Sequence, residues 1–238
     1  MMQDHYTLKL LQERIGYVFQ DEKLLKRALT HSSYLNEQKV NRIGDYERLE
    51  FLGDAVLELI SSEFLFKEYE KLPEGELTKL RASMVCEPSL AFCARDIELE
   101  KFIFLGKGEE ATGGRGRDSI TSDVMEAIIG AIYLDSGIGE AKQFIHKFIL
   151  SDLDEKRLFF DSKSTLQELI QGKLKKDFSY HLLEESGPEH NKTFVTEVVM
   201  DGARLGKGEG RTKKAAEQEA AYQALLFLRK EGHVFKKH

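Results

Sequence analysis

The chain of 238 residues has no tryptophan, three prolines and two cysteines, and it nowhere strings together about 18 apolar residues. The last absence excludes a membrane-spanning helix. Cys86 and Cys93 stand seven apart in a helix-like stretch, a spacing that suits neither a redox pair nor a zinc clip. They read as reduced, mostly buried thiols of a cytoplasmic protein. The opening Met1-Met2-Gln3-Asp4-His5-Tyr6 lacks the basic-then-apolar layout of a secretory leader. Internal repeats and low-complexity tracts are missing too, and no strand pattern occurs before residue 160. What remains is an ordinary globular composition, 41% apolar and 32% charged, long enough for one large or two modest domains.

Positive charge is also short. The net charge of −6, taken whole, argues against a nucleic-acid partner. The deficit is uneven, however. Residues 162–238 hold 14 Lys and Arg against 11 Asp and Glu, net +3, which leaves 21 against 30, net −9, for residues 1–161. An acidic front and a basic back predict two domains, 1–157 and 162–231, with different work.

Apolar periodicity predicts helices throughout the front. Residues 7–20 place Leu8, Leu11, Ile15 and Val18 on one face, and a second helix runs from Glu22 to about residues 30–34. His31 reads as a hydrogen-bonded structural residue, because no second His or Cys lies at ligand spacing. Asp45 is the expected N-cap of the next helix. That helix carries Glu47, Glu50 and Asp54, which fall on one stripe with Glu47 and Asp54 about 20° apart. Leu49, Leu52, Val56 and Leu59 line a second stripe, and Phe51 and Ala55 a third. Like charges at this spacing repel by a few tenths of a kcal/mol per pair, and burial adds to the cost. Such a stripe calls for a cation among its oxygens.

Further helices are expected at about 76–86, 87–96 and 98–105, and a last one reaches about Lys156. Between them, Gly106–Arg117 is a Gly-rich, charged stretch that reads either as a plain flexible linker or as a mobile loop able to approach phosphates. Asp123 and Glu126 then share a helix face that the small Ala127 and Gly130 continue. Acids near a helix start are favoured by the dipole alone; beside the upstream stripe, metal binding is the stronger reading. Glu47, Glu50, Asp54, Asp123 and Glu126 make an all-oxygen set that suits Mg²⁺ or Mn²⁺ and is a poor zinc site. It fits metal-assisted cleavage of a phosphodiester. Glu58, one turn on, reads as a surface acid.

The back changes rhythm. A short helix at 164–173 contains Leu166, Leu169 and Ile170, and residues 178–182 alternate, as do Phe194, Thr196, Val198 and Met200. Turn signals occur at 187–190 and at Asp201-Gly202. A third strand at about 203–206 is followed by a loop and a helix over 212–230, where Ala216, Ala220 and Ala224 form a face flat enough for a sheet. Lys213 and Lys214 in its first turn oppose the dipole; a bound phosphate explains them. Gln167, Gln171 and His190 are polar tips suited to 2′-hydroxyl and minor-groove contacts, the way an A-form duplex is read.

Over nearly its full length the chain resembles bacterial ribonuclease III, an endonuclease of double-stranded RNA. Residues 47–57 (ERLEFLGDAVL) look like the family signature, and 106–110, 113–115 and 123–133 are similar to its second conserved region. Residues 162–231 resemble a double-stranded-RNA-binding domain through Leu166-Gln167-Glu168, 187–190 and 213–217. The resemblance implies an α+β chain in which an all-α catalytic domain precedes a small α-β-β-β-α domain. It also implies a homodimer that cuts both strands and leaves 5′-phosphate and 3′-hydroxyl ends with short 3′ overhangs. Ribosomal RNA precursors and other structured transcripts are the implied substrates. Glu50, Asp54, Asp123 and Glu126 match the catalytic metal cluster, Glu47 and Glu74 auxiliary acids, and Phe51 a dimer-contact aromatic. Tyr46 departs from the pattern where asparagine is common, and Ser162 where proline is. Two other readings use the same residues: an all-α nucleotide pyrophosphohydrolase, which the back domain disfavours, and a catalytically silent RNA-binding relative, which would be expected to have lost acids that this chain retains.

Overall fold

The computed structural model describes residues 2–38, 44–151, 158–159, 162–187, 192–210 and 212–232. It divides into two compact units, Met1–Ser151 and Asp152–His238. The front unit is helical: α1 Met2–Ile15, α2 Glu22–Ala28, α3 Ser32–Gln38, α4 Glu47–Glu68, α5 Glu74–Val85, α6 Glu87–Asp96, α7 Lys107–Ala111, α8 Asp118–Ser136 and α9 Ile138–Phe148. Among the described residues of this unit, backbone pairing across the chain reduces to one isolated parallel bridge, Thr30 with Phe104. No described helix is long and apolar enough to cross a membrane.

Helix α8 is the axis of the front unit. Val124, Met125, Ala127, Ile128, Ile129, Ala131 and Ile132 are all fully buried, so apolar residues surround it on nearly every side. Helix α4 lies against it with Leu49, Val56, Leu57, Ile60 and Leu65 inward. The two backbones meet at a pair of glycines. A Cβ added to Gly53 would lie 1.8 Å from the carbonyl oxygen of Glu126, and one on Gly130 would lie 2.2 Å from that of Leu49. Only glycine permits such an approach.

Several local expectations are corrected. Helix α1 stops at Ile15 because Gly16 takes φ +73°, and Val18 is 77% exposed rather than inward. Leu59 is 62% exposed on α4, off the core stripe with Phe51. Tyr46, not Asp45, occupies the N-cap of α4, and it makes no side-chain cap bond. What read as one helix through residues 30–34 is α2, the bridge at Thr30, and then α3. The stretch 106–117 is ordered: α7 is followed by a 3₁₀ turn at Gly114–Gly116. Arg115 is tied there to the Glu110 carboxylate at 2.8 Å and to the carbonyls of Glu100 and Ile103 at 2.5 and 3.0 Å. Arg117 pairs with Glu109 at 2.6 Å. Both arginines therefore have partners within the fold.

In the back unit, α10 (Ser162–Gln167) passes directly into a π-helical stretch, Glu168–Leu174. Strands β1 Phe178–Ser186, β2 Thr193–Met200 and β3 Ala203–Gly210 form an antiparallel sheet in that order, with α11 Lys213–Lys230 across it. Asp201 and Gly202 both adopt positive φ, +52° and +78°, the geometry of a two-residue hairpin between β2 and β3. The third strand is longer than its sequence suggests. Gly206, Gly208 and Gly210 sit under α11, where a Cβ on Gly208 would lie 2.2 Å from the Ala220 nitrogen. The glycine run is therefore a strand pressed on a helix, not a loop. Ala216, Ala220 and Ala224 are fully buried, joining Leu166, Ile170, Val198 and Leu225.

Candidate active site and nucleic-acid interface

Close packing of α4 on α8 decides where the acids go. Glu50 and Asp54 flank Gly53 on α4, and Asp123 and Glu126 lie on α8 in the turns before Gly130. The sites respond to one another. Burial raises the Glu126 carboxyl to about 8, with Asp54, Glu50, Asp123 and Glu58 adding to the shift. Burial also raises Glu50 to about 7, helped by Asp123, Glu47 and Asp54. Asp123 is pushed up by burial and by Glu87, and drawn back by hydrogen bonds from Tyr46 and Ser122 and by His31. The four acids thus share one field, with negative charge concentrated beyond what the site itself neutralises.

The donor set fits a hard divalent cation: carboxylate oxygens from two rigid helices, Glu50, Asp123 and Glu126 partly buried and Asp54 exposed, with no thiol or imidazole among them. In this conformation no three or more His, Cys, Asp or Glu side chains among the described residues form a closed metal cage. The helices bring the acids into one neighbourhood without clasping them around a point.

The remaining expected acids fall in different places. Glu47 is exposed in the first turn of α4, close enough to raise Glu50. Glu74 is exposed at the start of α5, where its carboxylate accepts from the Thr78 hydroxyl at 2.8 Å. Glu58 does more than cover the surface: it pairs with Arg81 at 2.7 Å and adds to the field at Glu126. His31 accepts from the Ser33 N–H through Nδ1 at 3.1 Å, in keeping with its structural reading.

Sequence reasoning missed three residues. Tyr46, marked only as a departure, is 4% exposed and directs its hydroxyl at the Asp123 carboxylate, 3.5 Å away. Glu87 was one polar residue among many, and no spacing tied it to Asp123. Gly53 was legible in principle, since a lone glycine inside an apolar helix, like Gly130 in α8, has a packing reason.

Phe51 is 80% exposed, and Leu59 and Phe66 on the same helix are 62% and 74% exposed. Phe51, Ala55 and Leu59 are spaced by four, so they form one apolar ridge facing away from α8.

In the back unit, Gln167 and Gln171 are exposed one turn apart, linked by a hydrogen bond of 3.1 Å. The Thr212 hydroxyl caps α11 by accepting from the Ala215 N–H at 3.0 Å. Lys213 and Lys214 are exposed just beyond that cap. Lys213 leans 3.6 Å from Glu185 and over the Phe194 ring. His190 lies outside the described residues.

Comparison with known proteins agrees with this layout. Residues 21–153 match a family model described as Ribonuclease-III-like, and residues 162–228 match the double-stranded RNA binding motif. The chain is 50% identical over 224 residues to Ribonuclease 3 of Enterococcus faecalis, covering 93% of this chain and 97% of the relative. It is 49% identical over 227 residues to Ribonuclease 3 of Bacillus cereus, covering 94% and 93%. A solved nuclease domain of ribonuclease III from Campylobacter jejuni aligns with TM-score 0.56 and 44% identity, over 60% of this chain and 95% of that one. By sequence along almost its whole length and by the fold of its front unit, the chain belongs to the ribonuclease III family.

Proposed function

We propose that this chain is a cytoplasmic, Mg²⁺-dependent endonuclease of double-stranded RNA, with Mn²⁺ able to substitute, and that it works as a homodimer. One observation carries the reading: two helices locked together at Gly53 and Gly130 gather Glu50, Asp54, Asp123 and Glu126 into one under-neutralised field. These four would hold the metal, with Glu47 and Glu74 as outer acids. A bound divalent ion supplies an activated water and stabilises the leaving oxygen of the phosphodiester. The chain's own contribution is positional. Backbone contact between α4 and α8 fixes the spacing of the acids, and burial keeps Glu126 ready to shed a proton when a cation arrives.

A second observation supports the substrate. The back unit offers two exposed polar residues on α10 and its π extension, and two lysines at the start of α11. That is a layout for reading duplex shape and phosphate rather than base sequence. Gln167, Gln171, His190, Lys213 and Lys214 are assigned to it. The domains proposed for the two tasks are 1–157 and 162–231. For the dimer, the support is the apolar ridge headed by Phe51, together with the Campylobacter jejuni structure, whose description refers to a region involved in dimer formation. Two copies would bring one acid cluster to each strand, giving the staggered ends with 5′-phosphate and 3′-hydroxyl.

The deciding experiment incubates a perfect RNA duplex with the protein in Mg²⁺, Ca²⁺ or EDTA. Cleavage is expected in Mg²⁺ and none in EDTA. Glu126→Gln should lower the cleavage rate by at least about 10³-fold, the scale of losing several kcal/mol of charge stabilisation. Its duplex affinity in a gel-shift assay should stay within about twofold. Normal cutting by Glu126→Gln would refute the role given to this residue.

A further inference from the structure

Asp123 differs from the other three acids in having a buried phenol turned toward it. Tyr46 is 4% exposed, and the polar contact of its hydroxyl is the Asp123 carboxylate at 3.5 Å. The residue is anchored on every other side. Its backbone N–H donates to Thr30 O at 3.0 Å, and Thr30 is itself bridged to Phe104. Its carbonyl accepts from the N–H groups of Leu49 and Glu50 at 2.8 and 2.9 Å, which starts α4. Its ring packs on that of His31 with centroids 5.7 Å apart. The same residue therefore sets the first turn of α4, where Glu47 and Glu50 stand, and reaches across to Asp123 on α8.

We propose that Tyr46 is a positioning residue for the metal site, its hydroxyl donating to Asp123 so that this carboxylate presents its other oxygen to the cation. This inference rests on the metal-dependent nuclease reading for the identity of the site, but not for its test. Two arguments favour a functional contact over simple core packing. A phenylalanine would fill the same volume, so nothing about burial calls for the hydroxyl. A phenol is a donor at neutral pH, and an ionised carboxylate is an acceptor only, so the pair has one sense. At 3.5 Å the bond is at the long limit, which is compatible with a contact that tightens only in the loaded site. Carboxylate ligands are typically held by such outer hydrogen bonds, and their loss weakens metal binding or activity.

The test compares full-length wild type with Tyr46→Phe, which deletes one oxygen. Mn²⁺ binding is titrated without RNA, following free Mn²⁺ by electron paramagnetic resonance. The Mg²⁺ dependence of duplex cleavage and the metal-free melting temperature are measured alongside. The Mn²⁺ Kd and the half-saturating Mg²⁺ should both rise about three- to tenfold, the scale of one ordinary net hydrogen bond. Activity at saturating Mg²⁺ should return to within about twofold of wild type. An unchanged Mn²⁺ Kd overturns the proposal, whatever happens to melting temperature or turnover, and so does a wild-type chain that takes up no Mn²⁺. A wild type that binds Mn²⁺ but does not cut the duplex counts against the nuclease reading alone, because the binding titration still decides the role of Tyr46.

Discussion

Glu126 keeps its proton to about pH 8 in the folded, metal-free protein, and Glu50 keeps its own to about 7, whereas both would lose it near 4.5 in an unfolded chain. The sign of the linkage follows. Between about pH 4.5 and 8 the folded state binds protons that the unfolded state has released, so stability falls as pH rises through that window. The contribution is fully present below 4.5 and is gone once both groups have ionised. In EDTA, the melting temperature should therefore drop between pH 5.5 and 8.5. Glu126→Gln, which cannot ionise, should show a visibly smaller drop in the same pair of melts. Equal drops for the two proteins would mean that this carboxyl is not under the strain assigned to it. A saturating divalent cation at pH 8.5 should recover the loss in the wild type, because ligand that binds only the folded form stabilises it.

Among elements, the α4–α8 contact is the one on which the site depends, and its glycines make a sharp test. Gly53→Ala would place a methyl carbon 1.8 Å from the Glu126 carbonyl oxygen, inside backbone that cannot swing away. The helices must separate, which should cost about 3 kcal/mol or more of stability and displace Glu126 from Glu50 and Asp54. Gly139→Ala, in α9 with open space around its Cβ position, should instead gain from a few tenths to about 1 kcal/mol. Denaturant melts of the two variants should move in opposite directions. This contrast also marks how far the sequence could be read. The acids of α4 and α8 were legible because helical spacing alone puts Glu47, Glu50 and Asp54 on one stripe and Asp123 with Glu126 on another. The face of α4 that meets α8 was only half legible, since Leu59 fits the apolar period yet is exposed. The glycine-rich stretches misled in both units. At 106–117 the order comes from Arg115 reaching carbonyls up to 15 residues away, and at 206–210 from a helix lying on the strand. Neither partner is visible in a local window. Tyr46 went unread for the same reason: its hydroxyl answers to a residue 77 positions downstream.

For the whole molecule, the uneven charge fits the proposed division of labour, which predicts how binding should respond to salt. The front carries net −9, and on the proposed reading its acids take up a cation before a phosphate approaches, so bare charge there disfavours RNA. The same reading assigns the attraction to the back, at net +3. Lys213 and Lys214 stand at the N-terminus of α11, where helix dipole and ammonium groups both favour phosphate. Lys213 already shares Glu185 at 3.6 Å, but an exposed pair of that kind is screened by solvent and salt and leaves the ammonium open to a phosphate in the proposed complex. Replacing both lysines with alanine should weaken binding to duplexes of every sequence by a similar factor. The slope of log affinity against log salt should become shallower by about 2, roughly one for each lost phosphate contact. Cleavage at saturating RNA should be nearly untouched, since the acids are unaltered. Binding isotherms from 50 to 200 mM salt on two unrelated duplex sequences check all three. A change in sequence preference with an unaltered slope would mean that these lysines read bases or do nothing, and the electrostatic hold on RNA would have to be sought elsewhere on the back unit.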